Sequence, residues 1–168
     1  MTDTTNNVQH IPADYGSITP YFIVQGVPKF IDFLVAAFGA VERGRVPNAD
    51  GTIGHAEVWI GNSVIQMFDA RENWRDFPNF TTLYVEDCDA AFQRALDAGA
   101  TEITKLGTNA WGDRSARIRD PFGNIWWIQS HVEDVEPAVM ERRMGEPFYL
   151  DQMKYAQETL DQEISSLS

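Results

Sequence analysis

The sequence predicts an α+β fold that contains two tandem copies of one β-α-β-β-β unit. Short runs of β-branched and aromatic residues, bounded by turn residues, predict the strands. One segment in each half carries apolar residues at helical spacing and predicts a helix. The same order of signals occurs twice within the 168 residues, and a repeated order of elements indicates an internal duplication.

The first unit begins near Ile18, where a polar N-terminal segment gives way to apolar residues. The run from Tyr21 to Val24 predicts a strand, and Val27 to Phe38 predicts a helix. Three further strands are predicted at Val41 to Val46, Thr52 to Ile60 and Ser63 to Asp69. A tight turn at Gly61 and Asn62 joins the last two of them.

The second unit begins at Phe80 and repeats these signals in the same order. Val85 follows Val24 by 61 residues, and the segment from Asp87 to Ala98 predicts the second helix. The carboxylate of Asp87 is suited to accept the free N–H groups of the first helical turn. Two strands, Asp113 to Arg119 and Ile125 to Ser130, are predicted around the turn at residues 120–124.

These elements divide the chain into three parts. Residues 1–17 are polar and predict a flexible arm. Residues 18–135 form the predicted domain, with the first repeat at 18–70 and the second at 80–131. Residues 136–168 predict a C-terminal extension of two helices that pack on a sheet or on a partner subunit, and a frayed tail is the alternative.

Composition and charge exclude several classes of protein. A net charge of −12 argues against nucleic acid as a partner, because phosphate binding requires clustered Lys and Arg. No apolar run is long enough to span a membrane, and the N-terminus lacks the pattern of a secretory signal. We therefore expect a cytoplasmic protein without a membrane partner. Its single cysteine, Cys88, cannot form an internal disulfide.

Six segments together carry a resemblance to a known family: TPYFIV, AAFGA, DGTIGHAEVWIGNSVIQMFD, YVEDCDAAFQRALDAGA, WGDRSARIRDPFGNIWW and HVEDV. In this order they resemble the vicinal-oxygen-chelate superfamily of glyoxalases, bleomycin resistance proteins and extradiol dioxygenases, and most closely its PhnB-like branch. The resemblance covers residues 18–135. It implies two curved mixed sheets that face one another, a small-molecule ligand between them, and a homodimer.

The resemblance also implies where metal-using members hold their ion. Those positions correspond here to Thr19, Phe80 and Trp127, which are not suitable ligands, so we expect neither a metal nor a cofactor. Only His55 and Glu57, two residues apart on one strand, retain donor chemistry. His55 has three interpretations: a pocket residue that binds the ligand, a structural histidine, or a metal ligand.

The alternation of side chains along each strand predicts which residues line the ligand cavity. The predicted helix-facing residues are Phe22, Val24, Ala56, Val58, Ile60, Leu83, Val85, Ala116 and Ile118. The predicted ligand-binding residues are Tyr21, His55, Glu57, Trp59, Phe80, Tyr84, Trp111, Arg117, Trp127 and Gln129. These aromatic walls with few polar groups suit a planar or amphipathic compound. The alternative is that the rings fill the space and leave little pocket.

The sequence therefore predicts a glyoxalase/bleomycin-resistance-like, metal-free protein that binds a small aromatic or amphipathic compound between its two sheets. A second hypothesis is a lyase, isomerase or dioxygenase of the same fold. It would use a relocated metal or acid-base chemistry at His55 and Glu57. A third is a protein with a filled cavity that acts through its C-terminal helices. The sequence assigns no catalytic residue.

Overall fold

The structure is a computed structural model that describes residues 9–166. Its elements in chain order are β1 (Tyr21–Val24), α1 (Val27–Phe38), β2 (Val41–Pro47), β3 (Ile53–Ile60), β4 (Ser63–Asp69), β5 (Phe80–Tyr84), α2 (Cys88–Asp97), β6 (Thr101–Thr108), β7 (Asp113–Arg119), β8 (Ile125–His131), α3 (Pro137–Met144) and α4 (Pro147–Ser165). The predicted β-α-β-β-β order is confirmed in both halves. The bounds of α1, β1, β4 and β7 coincide with the prediction. The strand β6 was implied only by the repeat.

Each half forms one four-stranded mixed sheet. Sheet A has the order β1-β4-β3-β2, and sheet B has the matching order β5-β8-β7-β6. In each sheet the first strand pairs in parallel with the fourth, and the other pairs are antiparallel. The predicted α+β class with two mixed sheets is therefore confirmed.

One hydrophobic core joins the two halves. It contains α1, α2 and the inner face of each sheet, and the nine residues predicted to face the helices all belong to it or pack against it. Phe22 of sheet A stacks on Trp126 of sheet B with ring centres 5.3 Å apart and planes 7° apart. Phe38 at the end of α1 also contacts Trp126, at 5.0 Å. The side chains that alternate with these core residues must therefore point away from the core.

Asp120 fixes the position of Trp126. Its carboxylate accepts hydrogen bonds from the backbone N–H groups of Phe122 and Asn124, from Nδ2 of Asn124 and from Nε1 of Trp126, each at 2.9 Å. Asp120 is only 3% exposed and Trp126 is fully buried. The loop between β7 and β8 thus closes around a carboxylate that satisfies four donors and holds the largest ring of the core.

The first turns of α1 and α2 are each bound by a carboxylate, Asp69 for α1 and Asp87 for α2. Asp69, at the end of β4, accepts from the N–H groups of Gly26 at 2.9 Å and Val27 at 2.7 Å. Its second oxygen accepts from the N–H of Ile53 at 2.6 Å. Asp87 caps α2 as predicted, since its side chain accepts from the N–H of Ala90 at 2.9 Å. The start of α1 is therefore tied to sheet A by a distant residue, which the sequence did not reveal.

The predicted C-terminal extension is helical, and α4 lies across the face of sheet B that points away from the core. Nη1 of Arg117 donates to the carbonyl of Ala156 at 2.7 Å, and Thr104 shares a hydrogen bond with Thr159 at 2.8 Å. No helix within residues 9–166 is long and apolar enough to cross a membrane.

The predicted flexibility of the arm, residues 1–17, stays a prediction. Residues 1–8 lie outside the described residues. In the described part of the arm, the hydroxyl of Tyr15 donates to Glu57 of sheet A, and Asp14 lies 3.7 Å from Arg43. This part of the arm therefore lies against sheet A.

We predict that Asp120→Asn lowers the free energy of unfolding by about 3 kcal/mol. The amide has the same shape, but its NH₂ group cannot accept, so at least one of the four buried donors loses its partner. Urea unfolding monitored by tryptophan fluorescence measures the change. The control is Asp161→Asn on the exposed surface of α4, which should change stability by less than about 0.5 kcal/mol. Equal stability of the two variants would contradict the role given to Asp120.

Candidate functional site

The ten predicted site residues fall into separate groups. Sheet A carries Tyr21, His55, Glu57 and Trp59, sheet B carries Phe80, Tyr84, Arg117, Trp127 and Gln129, and Trp111 lies in the turn before β7. Among the described residues, no hydrogen bond, ion pair or aromatic contact joins the sheet A group to the others. Within one chain, the structure does not bring the ten residues into one hollow between the sheets.

Part of the sheet B group is covered by α4. Arg117 is 8% exposed and Gln129 is 3% exposed, and the guanidinium of Arg117 lies 4.5 Å from the ring centre of Trp127. Burial lowers the pKa of Arg117 from its ordinary value. Phe80 and Tyr84, on the edge strand β5, stay more than half exposed. This face therefore offers a ligand less room than the predicted lining implied.

Trp111 and Tyr84 are held by Asp113 at the end of sheet B. The indole N–H and the phenolic hydroxyl each donate to Oδ2 of Asp113 at 3.0 Å. Nδ1 of His131 lies 2.7 Å from the other oxygen, and Asp113 followed by Asp134 raises the pKa of His131. The hydrogen bond to Asp113 also raises the pKa of Tyr84. These contacts fix the Trp111 indole.

Glu57 is the centre of a polar network on the outer face of sheet A, the face turned away from the core. Its Oε1 accepts from the hydroxyl of Tyr15, from Nε2 of Gln66 at 3.0 Å and from Nε2 of His55 at 3.2 Å. Its Oε2 lies 3.2 Å from Nη1 of Arg43. We call these five residues the Glu57 network. The network forms because Glu57 and Gln66 are directly opposed in the β3–β4 pairing.

The network determines what Glu57 and His55 can do. The hydrogen bond from Tyr15, followed by those from Gln66 and His55 and the charge of Arg43, lowers the pKa of Glu57. Three of these donors share Oε1, and Oε2 has the ion pair with Arg43. Because Glu57 can only accept, we assign the Nε2 proton to His55, which leaves Nδ1 to accept from the Tyr21 hydroxyl at 3.2 Å. The arrangement orients these side chains and favours the ionised form of Glu57.

A cleft of about 1020 Å³ lies beside this network. Three aromatic rings line it in contact with one another: Tyr21 and Phe68 have ring centres 5.5 Å apart, and Phe68 and Trp74 have centres 5.9 Å apart. Arg71 lies 5.5 Å from the Trp74 ring. Tyr21 also contacts His55, so the aromatic cleft and the Glu57 network are continuous.

A second cavity, of about 470 Å³, lies between the arm and the outer face of sheet A. Tyr15, Thr19 and Gln66 are among its lining residues. Beside it, the guanidinium of Arg43 lies 5.3 Å from the ring centre of Tyr15 and 5.0 Å from that of Trp59. Trp59 therefore lies on the part of the outer face of sheet A that is next to this second cavity.

Sequence reasoning missed five residues of this site: Tyr15, Arg43, Gln66, Phe68 and Trp74. The alternation that identified His55 and Glu57 on β3, applied to β4, would have placed Gln66 and Phe68 on the same face. Trp74 lies in the linker between the two units, to which no strand alternation applies. Tyr15 belongs to the arm, and Arg43 lies at an irregularity in the β2–β3 register; nothing in their sequence surroundings indicated their contacts.

The residues present do not fit a divalent metal ion. Of the three positions that the resemblance assigns to metal ligands, Thr19 precedes β1, Phe80 begins β5 and Trp127 lies on β8. The oxygens of Glu57 are engaged by four donors. Across residues 9–166, no group of three or more His, Cys, Asp or Glu side chains is placed to hold an ion. The described residues therefore do not form a site for metal-assisted chemistry.

The fold and sequence match known proteins. The model of the Glyoxalase/Bleomycin resistance protein/Dioxygenase superfamily matches residues 15–128. The uncharacterized protein Rv0887c of Mycobacterium tuberculosis is 38% identical over 140 residues, which cover 77% of this chain and 82% of that protein.

Two solved structures illustrate the similarity in fold. TioX from Micromonospora sp. ML1 is 27% identical, and the match covers 70% of this chain and 100% of TioX with a TM-score of 0.59. The protein PA1353 from Pseudomonas aeruginosa is 20% identical, with 69% of this chain and 98% of that chain covered and a TM-score of 0.58. The similarity to PA1353 shows a common fold and nothing more.

We predict that Glu57→Gln makes the free energy of unfolding less dependent on pH below about pH 4.3. Because the network lowers the pKa of Glu57, the carboxylate stabilises the folded state above its unfolded pKa. That stabilisation is lost as the pH falls through the folded pKa. Urea unfolding at about pH 6 and about pH 3 measures the slope. The control is Glu72→Gln, in the exposed linker, which should keep the wild-type dependence of the free energy of unfolding on pH. The same wild-type dependence in Glu57→Gln would show that the ionised form of Glu57 adds no stability.

Proposed function

The chain belongs to the Glyoxalase/Bleomycin resistance protein/Dioxygenase superfamily, and we propose that it binds a small aromatic or amphipathic compound on the outer face of sheet A. The observation that carries the proposal is the cleft of about 1020 Å³ with three touching rings beside the Glu57 network. Its volume is at the upper end of the range typical of small-molecule sites.

The chemistry of the cleft suits a flat, partly polar compound. Tyr21, Phe68 and Trp74 supply apolar area and ring faces or edges for stacking. The polar groups of Asn48, Asp50 and Thr52 lie on another part of the wall and would orient the compound. Because the rings are already in contact with one another, binding loses little side-chain entropy.

Binding is favoured over acid-base catalysis by the state of Glu57. A general base is most effective when its pKa lies near the working pH. The network lowers the pKa of Glu57, so its carboxylate is a weak base at neutral pH. His55 lies between Tyr21 and Glu57 at 3.2 Å from each, so we assign it the role of an orienting residue.

We predict that Trp74→Ala weakens binding about tenfold, because removal of one ring from the cleft costs about 1.4 kcal/mol. A panel of mono- and bicyclic aromatic compounds, screened by thermal shift, identifies binders. Isothermal titration calorimetry then gives the dissociation constant of each binder for wild type and variant.

The matched control is Phe148→Ala, which removes an equally prominent aromatic side chain, 58% exposed, at the start of α4. This variant should bind with wild-type affinity. If both variants bind as wild type does, the compound lies elsewhere. If no aromatic compound raises the melting temperature, the proposed function is wrong.

We also propose that the protein is a homodimer. Phe80 and Tyr84, on the edge strand β5 of sheet B, are 53% and 58% exposed. Aromatic residues that are exposed in a single chain are typical of surfaces that become buried at the centre of a subunit interface.

We predict that light scattering gives the mass of two chains and that Phe80→Asp shifts the mass toward one chain. A charge at the centre of an apolar interface is costly. Val35→Asp on the exposed side of α1 should leave the dimer intact. A wild-type mass of one chain, or an unchanged mass in Phe80→Asp, would contradict this interface.

A further inference from the structure

Tyr15 enters the Glu57 network from a segment that belongs to neither sheet. Residues 9–19 contain no helix or strand, yet the Tyr15 hydroxyl donates to Oε1 of Glu57. The guanidinium of Arg43 lies 5.3 Å from the centre of its ring. The phenol side chain is therefore bound by a charged acceptor and by a cation near its ring, as a free phenol would be.

The described contacts that hold this segment are few. Asp14 lies 3.7 Å from Arg43, but its carboxylate is 59% exposed, so this ion pair is weak. Asp14 has a φ of 78°, in the left-handed region that costs energy for a residue with a side chain. A segment with few buried contacts and a strained residue opens more readily than the sheet beneath it.

The surroundings leave room for a larger molecule than the tyrosine side chain. The cavity of about 470 Å³ is lined by Tyr15 itself, with Gln66 and Thr19 near the sheet. A ligand that replaced the Tyr15 ring could therefore extend from its para position, where the tyrosine carries its own Cβ.

We propose that Tyr15 is an intramolecular competitor and that the compound bound by this face is a neutral para-substituted phenol, which displaces Tyr15 and donates its hydroxyl to Glu57. This rests on the proposed function and names its ligand class. The acceptor is an ionised carboxylate, so a ligand that carries a negative charge at this point would be repelled. A ligand without a donor would leave the carboxylate with one partner fewer.

Competition by Tyr15 has a measurable consequence. The apparent dissociation constant equals the intrinsic constant divided by the fraction of molecules in which the subsite is open. Removal of the Tyr15 side chain raises that fraction toward one. Affinity for a phenol should therefore increase in the variant, whereas the loss of a residue that merely supports the site would decrease it.

The test is isothermal titration calorimetry of the full chain with 4-hydroxyphenylacetamide and with phenylacetamide, which lacks only the hydroxyl. We expect Tyr15→Ala to bind the phenol about tenfold more tightly than wild type does. We also expect it to prefer the phenol to phenylacetamide by about tenfold, as a hydrogen bond to a charged group provides. Adding Glu57→Gln to Tyr15→Ala should reduce that preference, because a neutral amide oxygen is a weaker acceptor.

Two further variants make the result decisive. Tyr15→Phe keeps the ring and loses only the hydroxyl, so it should also bind the phenol more tightly than wild type, even if Tyr15→Ala folds poorly. Tyr149→Ala removes a tyrosine that also lies near an arginine, 5.7 Å from Arg143, and should not change affinity. No gain in either Tyr15 variant, or equal affinity for the two compounds, overturns the proposal.

The outcome also separates this inference from the proposed function. If aromatic compounds bind in a manner sensitive to Trp74→Ala but show no preference for a hydroxyl, only the phenol assignment is wrong. If the wild type and all variants bind no aromatic compound, both proposals are wrong.

Discussion

The packing of Trp126 against Phe22 and Phe38 determines how the rest of the molecule can be used. This contact joins sheet B to sheet A and α1 at the centre of the core, and Asp120 fixes the indole by accepting from its N–H. Because the inner faces of both sheets are packed in this core, the side chains of the strands that remain available to a ligand lie on the outer faces. Any ligand site built from the strands must therefore lie there.

The two outer faces differ although their strands follow the same order. On sheet A, Glu57 opposes Gln66 and gathers donors from the arm and from β2. On sheet B, the equivalent pair is Arg117 and Trp127, and α4 covers the arginine. The duplication thus preserved the scaffold while side chains and terminal segments diverged. This divergence places the open aromatic cleft on sheet A.

The repeat and the strand alternation were predictable because they depend on local periodicity. The inner-face residues and the Asp87 cap followed directly from that periodicity. The Glu57 network was only partly predictable, since Tyr15 and Arg43 reach it through tertiary contacts that leave no periodic signal. The separation of the ten predicted site residues depends on how the halves pack, and the alternation within each strand carries no information about it.

A ligand bound on the outer face of sheet A would be visible in a crystal structure of the protein with an aromatic compound from the screen. We expect density for the compound against Tyr21, Phe68 and Trp74 or in place of the Tyr15 ring. Density beside Trp127 and Gln129 on sheet B, with the sheet A face unchanged, would contradict it.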